Sequence, residues 1–169
     1  IEGYPSRDFM NLVTEVKPDQ VTLVPDPPGV LTSNAGWDTV KNEHLLTEVC
    51  QELCENGIRT SIFIDTNPIN LDGAKKVGTD RIEFYTGPYA DMFEADKEEA
   101  IKAYRTAAVL CNELGLGINA GHDLNLENLK FFADNIPGLL EVSIGHALIS
   151  DALYFGLDNT IKLYLRELL

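Results

Sequence analysis

Short β-rich runs alternate with longer helical patterns along this chain, and this alternation restricts the possible folds more than any other feature. Runs bounded by turn residues predict buried strands at 20–25, 59–65, 81–87, 116–121 and 140–145. Apolar residues recurring at intervals of three and four predict helices at 6–17, 38–56, 68–77, 92–114, 125–135 and 147–168. Asp38 is expected early in the second helix and Gly57 at its end. Such alternation predicts the α/β class, with a parallel sheet covered by helices.

Two parallel architectures fit this order of elements. An open doubly wound sheet binds its ligand where the strand order reverses, whereas a barrel gathers polar groups from the ends of many strands onto one face. Asp65, Glu83, His122 and His146 lie at or near the carboxyl ends of four different strands, and Glu2 lies in a very short strand at the start. This distribution favours the barrel.

Composition limits the number of domains and the classes of partner. The 169 residues are 44% hydrophobic and contain no repeat, linker or low-complexity tract, so residues 1–169 are expected to form a single domain. A net charge of −14 argues against nucleic acid or an anionic membrane as a partner. No apolar run approaches the roughly 20 residues of a membrane span, and no signal peptide is recognised. We therefore expect a cytoplasmic protein.

Three cysteines are present, of which Cys50 and Cys54 are four residues apart in a helical pattern. A disulfide within one helix is geometrically awkward. Reduced cysteines that pack in the core, Cys111 included, are therefore favoured over a redox pair.

Familiar cofactor and metal motifs do not fit. The segment "GLGINA" resembles a dinucleotide fingerprint in its letters, but Gly115 and Gly117 precede the predicted strand, whereas the fingerprint follows one. The sequence also lacks a P-loop, a G-x-S-x-G segment, an H-E-x-x-H segment and paired C-x-x-C segments. Standard hydrolase, kinase and zinc-site functions therefore lose their support.

A glycine followed by a histidine ends two of the predicted strands, at Gly121–His122 and at Gly145–His146. A glycine lets the backbone approach a ligand closely, and free amides at the start of a following helix favour an anion such as phosphate. An imidazole can transfer a proton near neutral pH. Each histidine could instead have a structural role, as a helix cap or as a hydrogen-bond partner in the core.

Glu83 alternates with the apolar residues Ile82 and Phe84, so its side chain points to the opposite side of its strand. In a barrel that side is the interior, where an uncompensated carboxylate is costly. The structural alternative to a functional role is a buried ion pair.

Four segments together resemble the pyridoxine 5′-phosphate synthase family of vitamin B6 biosynthesis. They are "KPDQVTLVPDPPGVLTSNAGWD" (17–38), "RIEFYTGPYAD" (81–91), "GLGINAGHDL" (115–124) and "VSIGHALI" (142–149). The resemblance implies a (β/α)8 TIM barrel with additional helices, assembled as a homo-oligomer, an octamer in that family. It also implies condensation of 3-amino-2-oxopropyl phosphate with 1-deoxy-D-xylulose 5-phosphate, without an organic cofactor or metal.

The same resemblance assigns roles to individual residues. Glu2 matches a proton acceptor, His122 a proton donor, and Glu83 a carboxylate that stabilises charge in the transition state. Thr32 resembles a ligand of the deoxyxylulose phosphate.

The aminoketone phosphate site is matched by Asp123, Gly145 and His146. Asp123 stands where some members have glycine. We expect its backbone amide to make the contact, since an amide contact tolerates the added side chain.

The sequence departs from the family pattern at its start. Six strands can be counted, whereas a complete barrel typically has about 250 residues and eight strands. The first two βα units, with a further histidine base and phosphate-binding arginines, are not found in residues 1–169. We expect these residues expressed alone to be insoluble, partly molten or inactive, because open sheet edges favour aggregation.

Two other functions stay open from the sequence. One is a non-catalytic phosphate-binding or assembly module derived from such a barrel. The other is a different phosphate-binding barrel enzyme, such as an isomerase or aldolase, although an imine-forming aldolase would need a lysine at a strand end and no predicted strand offers one.

Overall fold

A computed structural model describes residues 1–27, 29 and 35–169. Over these residues six parallel strands form one curled sheet, in which each strand pairs with the next along the chain. The strands are β1 (Glu2–Gly3), β2 (Gln20–Leu23), β3 (Arg59–Ile64), β4 (Arg81–Tyr85), β5 (Gly117–His122) and β6 (Leu139–Ile144). Strand order equal to chain order is the order of a barrel wall, whereas a doubly wound sheet reverses direction.

Helices connect successive strands and follow the last one. They are α1 (Arg7–Val16), α2 (Glu43–Glu55), α3 (Pro68–Val77), α4 (Gly87–Phe93), α5 (Lys97–Leu114), α6 (Leu129–Asn135), α7 (His146–Phe155) and α8 (Leu157–Arg166). The parallel α/β class predicted from the sequence is confirmed. No helix in the described part of the chain is long and apolar enough to cross a membrane.

The two faces of the sheet differ in chemistry because side chains alternate along each strand. Ile62, Phe84 and Ile118 are completely buried in the apolar core between the sheet and its helices. The other face lines the inside of the curl and, apart from aromatic residues such as Phe63, is mainly polar. It carries Thr22, Ser61, Glu83, Asn119 and Ser143, together with the charged groups described next.

Charged side chains near the amino ends of the strands balance one another inside the curl. Glu141 accepts contacts from Arg81 Nη1 at 2.7 Å and from Arg59 Nη2 at 3.0 Å. Arg59 Nε also donates to the side-chain oxygen of Gln20 at 2.8 Å. Arg59 and Arg81 therefore place positive charge at the amino end of this face.

Two expected helix starts are wrong. Helix α2 begins at Glu43, because Asp38 accepts a hydrogen bond from the amide of Lys41 at 3.0 Å and forms a turn. The helix after β5 begins at Leu129, because Asn125 accepts from the amide of Glu127 at 2.9 Å in a similar turn. Aspartate and asparagine side chains compete with the helix for backbone amides in this way.

Two expected helices are each interrupted. The helix expected at 92–114 is divided into α4 and α5 by Asp96, which caps α5 by accepting from the amides of Glu98 and Glu99. The helix expected at 147–168 is divided into α7 and α8 by Gly156, whose φ of 76° ends α7. The predicted stop of α2 is confirmed, since Gly57 follows its end with a φ of 73°.

The cysteines are all free, and the predicted packing role holds for two of them. Cys50 and Cys111 are buried, and burial raises the pKa of each thiol to about 12. Cys54 is exposed instead, so the expectation that it packs in the core is wrong.

Candidate active site

Three polar side chains from alternate strands meet inside the curl. Glu83 Oε2 on β4 accepts a hydrogen bond from Thr22 Oγ1 on β2 and another from Ser143 Oγ on β6, both at 3.3 Å. Alternate strands contribute the side chains of one interior layer in a barrel. The inward direction of Glu83 expected from strand alternation is therefore confirmed, and Thr22 and Ser143 are partners that the sequence analysis missed. The alternation of Thr22 with Val21 and Leu23 was the signal that could have revealed the first of them.

The environment of Glu83 favours its protonated form. Its side chain is 2% exposed, and its pKa is raised to about 7, first by burial and then by the neighbouring carboxylate of Glu2. The two hydroxyls lower the pKa, but less than burial raises it. Glu83 is thus hydrogen-bonded to hydroxyls and lies near other acidic groups. This environment does not match the buried ion pair considered as its alternative role. Near neutral pH the group can give or take a proton.

We expect Glu83 to make the stability of the fold depend on pH. Its carboxyl ionises near pH 4.5 in the unfolded chain but near pH 7 in the folded one. The folded state holds more protons between these values, so the free energy of unfolding falls as pH rises through this window. Glu83→Gln should remove this loss. Its free energy of unfolding should therefore rise, relative to that of the wild type, by up to about 3 kcal/mol between pH 4.5 and pH 7.5.

Urea unfolding of both proteins across this pH range measures the effect. Glu113→Gln is the control, since Glu113 is an exposed carboxylate on α5. If the free energies of unfolding of wild type and Glu83→Gln change with pH in the same way, Glu83 ionises normally and the prediction is wrong.

Gly121 provides the space that the Glu83 carboxyl occupies. A Cβ at this position would overlap Glu83 Oε1 and come within 3.1 Å of the Ser143 Cβ. A side chain at this position would therefore displace the Glu83 carboxyl. The glycine at this junction was expected to let the backbone approach a ligand. The structure places a side chain of the protein there, and the approach of a ligand stays a prediction.

We expect Gly121→Ala to destabilise the fold by about 1–3 kcal/mol, because overpacking displaces the Glu83 carboxyl. Gly145→Ala is the matched variant. Gly145 has nothing within 4 Å of an added Cβ, so Gly145→Ala has no packing penalty and should destabilise the fold less. Thermal and urea unfolding of both variants check the difference, and equal destabilisation would contradict this packing.

Glu2 and His122 come close to Glu83 at the carboxyl end of the sheet. Glu2 pairs in register with Thr22, so it belongs to the same inner face. Burial raises the pKa of Glu2, while the positive charges of His122 and of the amino terminus lower it. Since Glu2 also raises the pKa of Glu83, Glu2 interacts electrostatically with both of the other groups predicted to be catalytic. The structure thus brings them to one place.

His122 is held in an unusual backbone conformation at the end of β5. Its φ is 99°, a value that side chains other than glycine rarely adopt. The imidazole is 21% exposed and lies edge-on to the Tyr85 ring, with 5.3 Å between the ring centres. A strained backbone that aims a partly exposed imidazole is characteristic of functional sites.

Asp123 contacts the His122 ring with its side chain. Its Oδ2 lies 2.8 Å from His122 Nδ1, so the carboxylate can hold the imidazole in one orientation. The Asp123 amide donates to Thr86 Oγ1 at 3.2 Å. In the structure this amide is thus engaged within the protein, and a substrate contact at Asp123 stays a prediction.

The second glycine–histidine junction has the expected form. Gly145 caps α7, which begins at His146, and both residues are exposed. His122 pairs with Ile144 across β5 and β6, so Gly145 comes one residue further along the neighbouring strand. At the first junction no helix begins directly, because α6 starts only at Leu129.

Thr32 lies outside the described residues, so its predicted contact with substrate stays a prediction. Over residues 1–27, 29 and 35–169, no cluster of three histidine, cysteine or acidic side chains could hold a metal ion.

A curled parallel sheet with acid–base groups at the carboxyl ends of its strands defines a TIM-barrel-like α/β protein. Solved structures agree. A structure described as "Native KDPGal structure" is similar with a TM-score of 0.62 at 10% identity, covering 98% of this chain and 68% of that one. A xylose isomerase domain protein from Planctomyces limnophilus is similar with a TM-score of 0.59 at 11% identity, covering 100% and 71%. At these identities the likeness concerns the fold alone.

Sequence comparison identifies the family. The family model described as "Pyridoxal phosphate biosynthesis protein PdxJ" matches residues 1–169, and the chain belongs to this family. A curated relative from Flavobacterium johnsoniae named "Pyridoxine 5'-phosphate synthase" is 61% identical over 168 residues, which are 99% of this chain and 71% of the relative. Another of the same name, from Cytophaga hutchinsonii, is 58% identical with the same coverage. The resemblance recognised in the sequence is confirmed.

Proposed function

We propose that this protein is a pyridoxine 5′-phosphate synthase, which joins 3-amino-2-oxopropyl phosphate to 1-deoxy-D-xylulose 5-phosphate and releases phosphate and water. The observation that carries the proposal is the meeting of Glu2, Glu83 and His122 at one end of the inner face of the sheet. The family resemblance implies a proton acceptor at Glu2, a proton donor at His122 and a charge-stabilising carboxylate at Glu83.

The chemistry of ring closure suits these groups. Joining two ketone-bearing phosphates into a pyridine requires imine formation, dehydrations, loss of phosphate and closure of a carbon–carbon bond. Protons must therefore move repeatedly on and off carbon and oxygen. In the proposal His122 donates a proton, Glu2 accepts one, and Glu83 stabilises charge as it develops.

Phosphate recognition in so acidic a protein is proposed to use backbone amides. The start of α7 at Gly145 and His146 is exposed and offers free amides to an anion. Asp123 directly follows β5, which pairs with the strand ahead of this helix, and these three residues would bind the aminoketone phosphate. Thr32 would bind the deoxyxylulose phosphate, as the family resemblance implies.

The described sheet is proposed to be six-eighths of a single-domain (β/α)8 barrel. The outer edges of β1 and β6 have no partner strand among the described residues. Helix α7 has no buried residue, and its Leu153 and Tyr154 are 82% and 87% exposed. Further βα units would pair the two edges and cover this apolar surface.

A homo-oligomeric state and a cytoplasmic location complete the proposal. The first follows from the family resemblance, and the free cysteines suit the reducing conditions of the second. Native mass spectrometry of the purified protein tests the oligomer.

Mixing the purified protein with both phosphates tests the function. Absorbance of the pyridine ring, product mass and release of inorganic phosphate should all appear together, and EDTA should leave the rate unchanged. Reactions that lack either substrate are negative controls. Glu113→Gln is the control variant expected to stay active, and His122→Gln is the variant expected to lose activity. Binding of both phosphates without a product would favour the non-catalytic module instead, and turnover of a single phosphate alone would favour a different barrel enzyme.

A further inference from the structure

We propose that Thr86 is a positioning residue that holds the His122 backbone in its catalytic conformation. The inference rests on the proposed function, in which His122 is the proton donor. Thr86 directly follows β4, and β4 is the strand next to β5, which carries His122.

Thr86 fixes the chain on both sides of His122. Its Oγ1 donates to the carbonyl oxygen of Gly121 at 2.8 Å, and its amide donates to the same oxygen at 3.1 Å. The same Oγ1 accepts from the amide of Asp123 at 3.2 Å. The residues before and after His122 are therefore both tied to one side chain.

These hydrogen bonds of Thr86 explain how the unusual conformation of His122 persists. A φ of 99° costs free energy for a residue with a Cβ, so neighbouring contacts must impose it. A hydroxyl is the group that can donate and accept at one point. Thr86 is completely buried, so it would act on substrate only through the residues that it holds.

Two substitutions separate the hydroxyl from the rest of the side chain. Thr86→Val keeps the shape and removes both side-chain hydrogen bonds, whereas Thr86→Ser keeps the hydroxyl. We expect Thr86→Val to lower kcat on the order of 10- to 100-fold with KM values within about threefold, since small misplacement of a catalytic group costs this much. Thr86→Ser should stay within about fivefold of wild type. If Thr86→Val fails to fold, Thr86→Ala replaces it with the same expectation.

A double-mutant cycle with His122→Gln shows whether Thr86 acts through His122. If it does, adding Thr86→Val to His122→Gln should lower kcat no further, because the positioned group is already gone. If the two losses multiply, Thr86 acts independently of His122 and the inference is overturned.

The imidazole itself provides a readout that does not need activity. The chain has three histidines, so the ring proton resonances in an NMR spectrum can be assigned with single substitutions. Thr86→Val should shift the His122 resonances at fixed pH and leave those of His44, on the distant exposed face of α2, unchanged. A merely structural role would lower the melting temperature without moving the His122 resonances.

These measurements distinguish the two ways of failing. Absence of product with the wild type would refute the proposed function, while a His122 shift in Thr86→Val would still support the positioning role. If the wild type is active and Thr86→Val changes neither kcat nor the His122 resonances, the positioning role alone is refuted.

Discussion

Replacing His122 with glutamine is expected to lower the turnover number on the order of 100-fold or more while the fold stays intact. Glutamine can occupy the partly exposed space beside Tyr85 and can still form hydrogen bonds. It cannot transfer a proton near neutral pH, which is the role proposed for the imidazole. Initial rates of pyridine formation measure the loss, and circular dichroism with a thermal melt checks the fold.

His44→Gln is the matched control for this variant. His44 lies on α2 with a side chain that is 88% exposed, and its ion-pair contact is with Glu48 on the same helix. Its replacement should leave the rate within about twofold of wild type, as expected for a surface position. Unchanged turnover in His122→Gln, with the control also unchanged, would remove His122 from the mechanism.

Glu83→Gln is expected to keep substrate binding and to lower turnover on the order of 100-fold. Glutamine preserves the shape of the side chain and can still accept hydrogen bonds from Thr22 and Ser143, but it cannot ionise. Since the pKa of Glu83 is about 7, the wild-type rate should also show an inflection near that pH, and the variant should lack it.

Isothermal titration with each phosphate separates binding from turnover in this variant, and a rate profile from pH 5.5 to pH 8.5 tests the inflection. Glu113→Gln again serves as the control for removing one carboxylate. Loss of the fold in Glu83→Gln, with the rate per folded molecule retained, would instead assign Glu83 a purely structural role.

Strand and helix order were predictable because their signals are local. Alternation along β4 was enough to place Glu83 on the inner face, and the spacing of turn residues located five strands to within about two residues. The divided helices were missed although their signals were present. Apolar periodicity continues across Asp96 and Gly156, and it masked a capping side chain in one case and a left-handed glycine in the other.

The family, and with it the identity of the candidate acid–base residues, could also be predicted from the sequence. Short segments around Glu83, His122 and Gly145 carry the pattern, since reactive groups and the glycines beside them are close in the chain. The glycine beside His122 nevertheless had a meaning that the sequence did not reveal. Gly121 makes room for the Glu83 carboxyl across the sheet.

The sequence by itself determined the parallel α/β class, the inward direction of Glu83 and the residues able to exchange protons. Only the tertiary structure decided which groups surround them. Glu83 meets hydroxyls that are 61 and 60 residues away in the chain, and Thr86 reaches the amide of a residue 37 positions later. The raised pKa of Glu83 comes from its burial and from Glu2 on another strand, and the left-handed backbone of His122 is held by contacts with Thr86. No local pattern encodes them, because they arise only when the sheet curls and its alternate strands face one inner space.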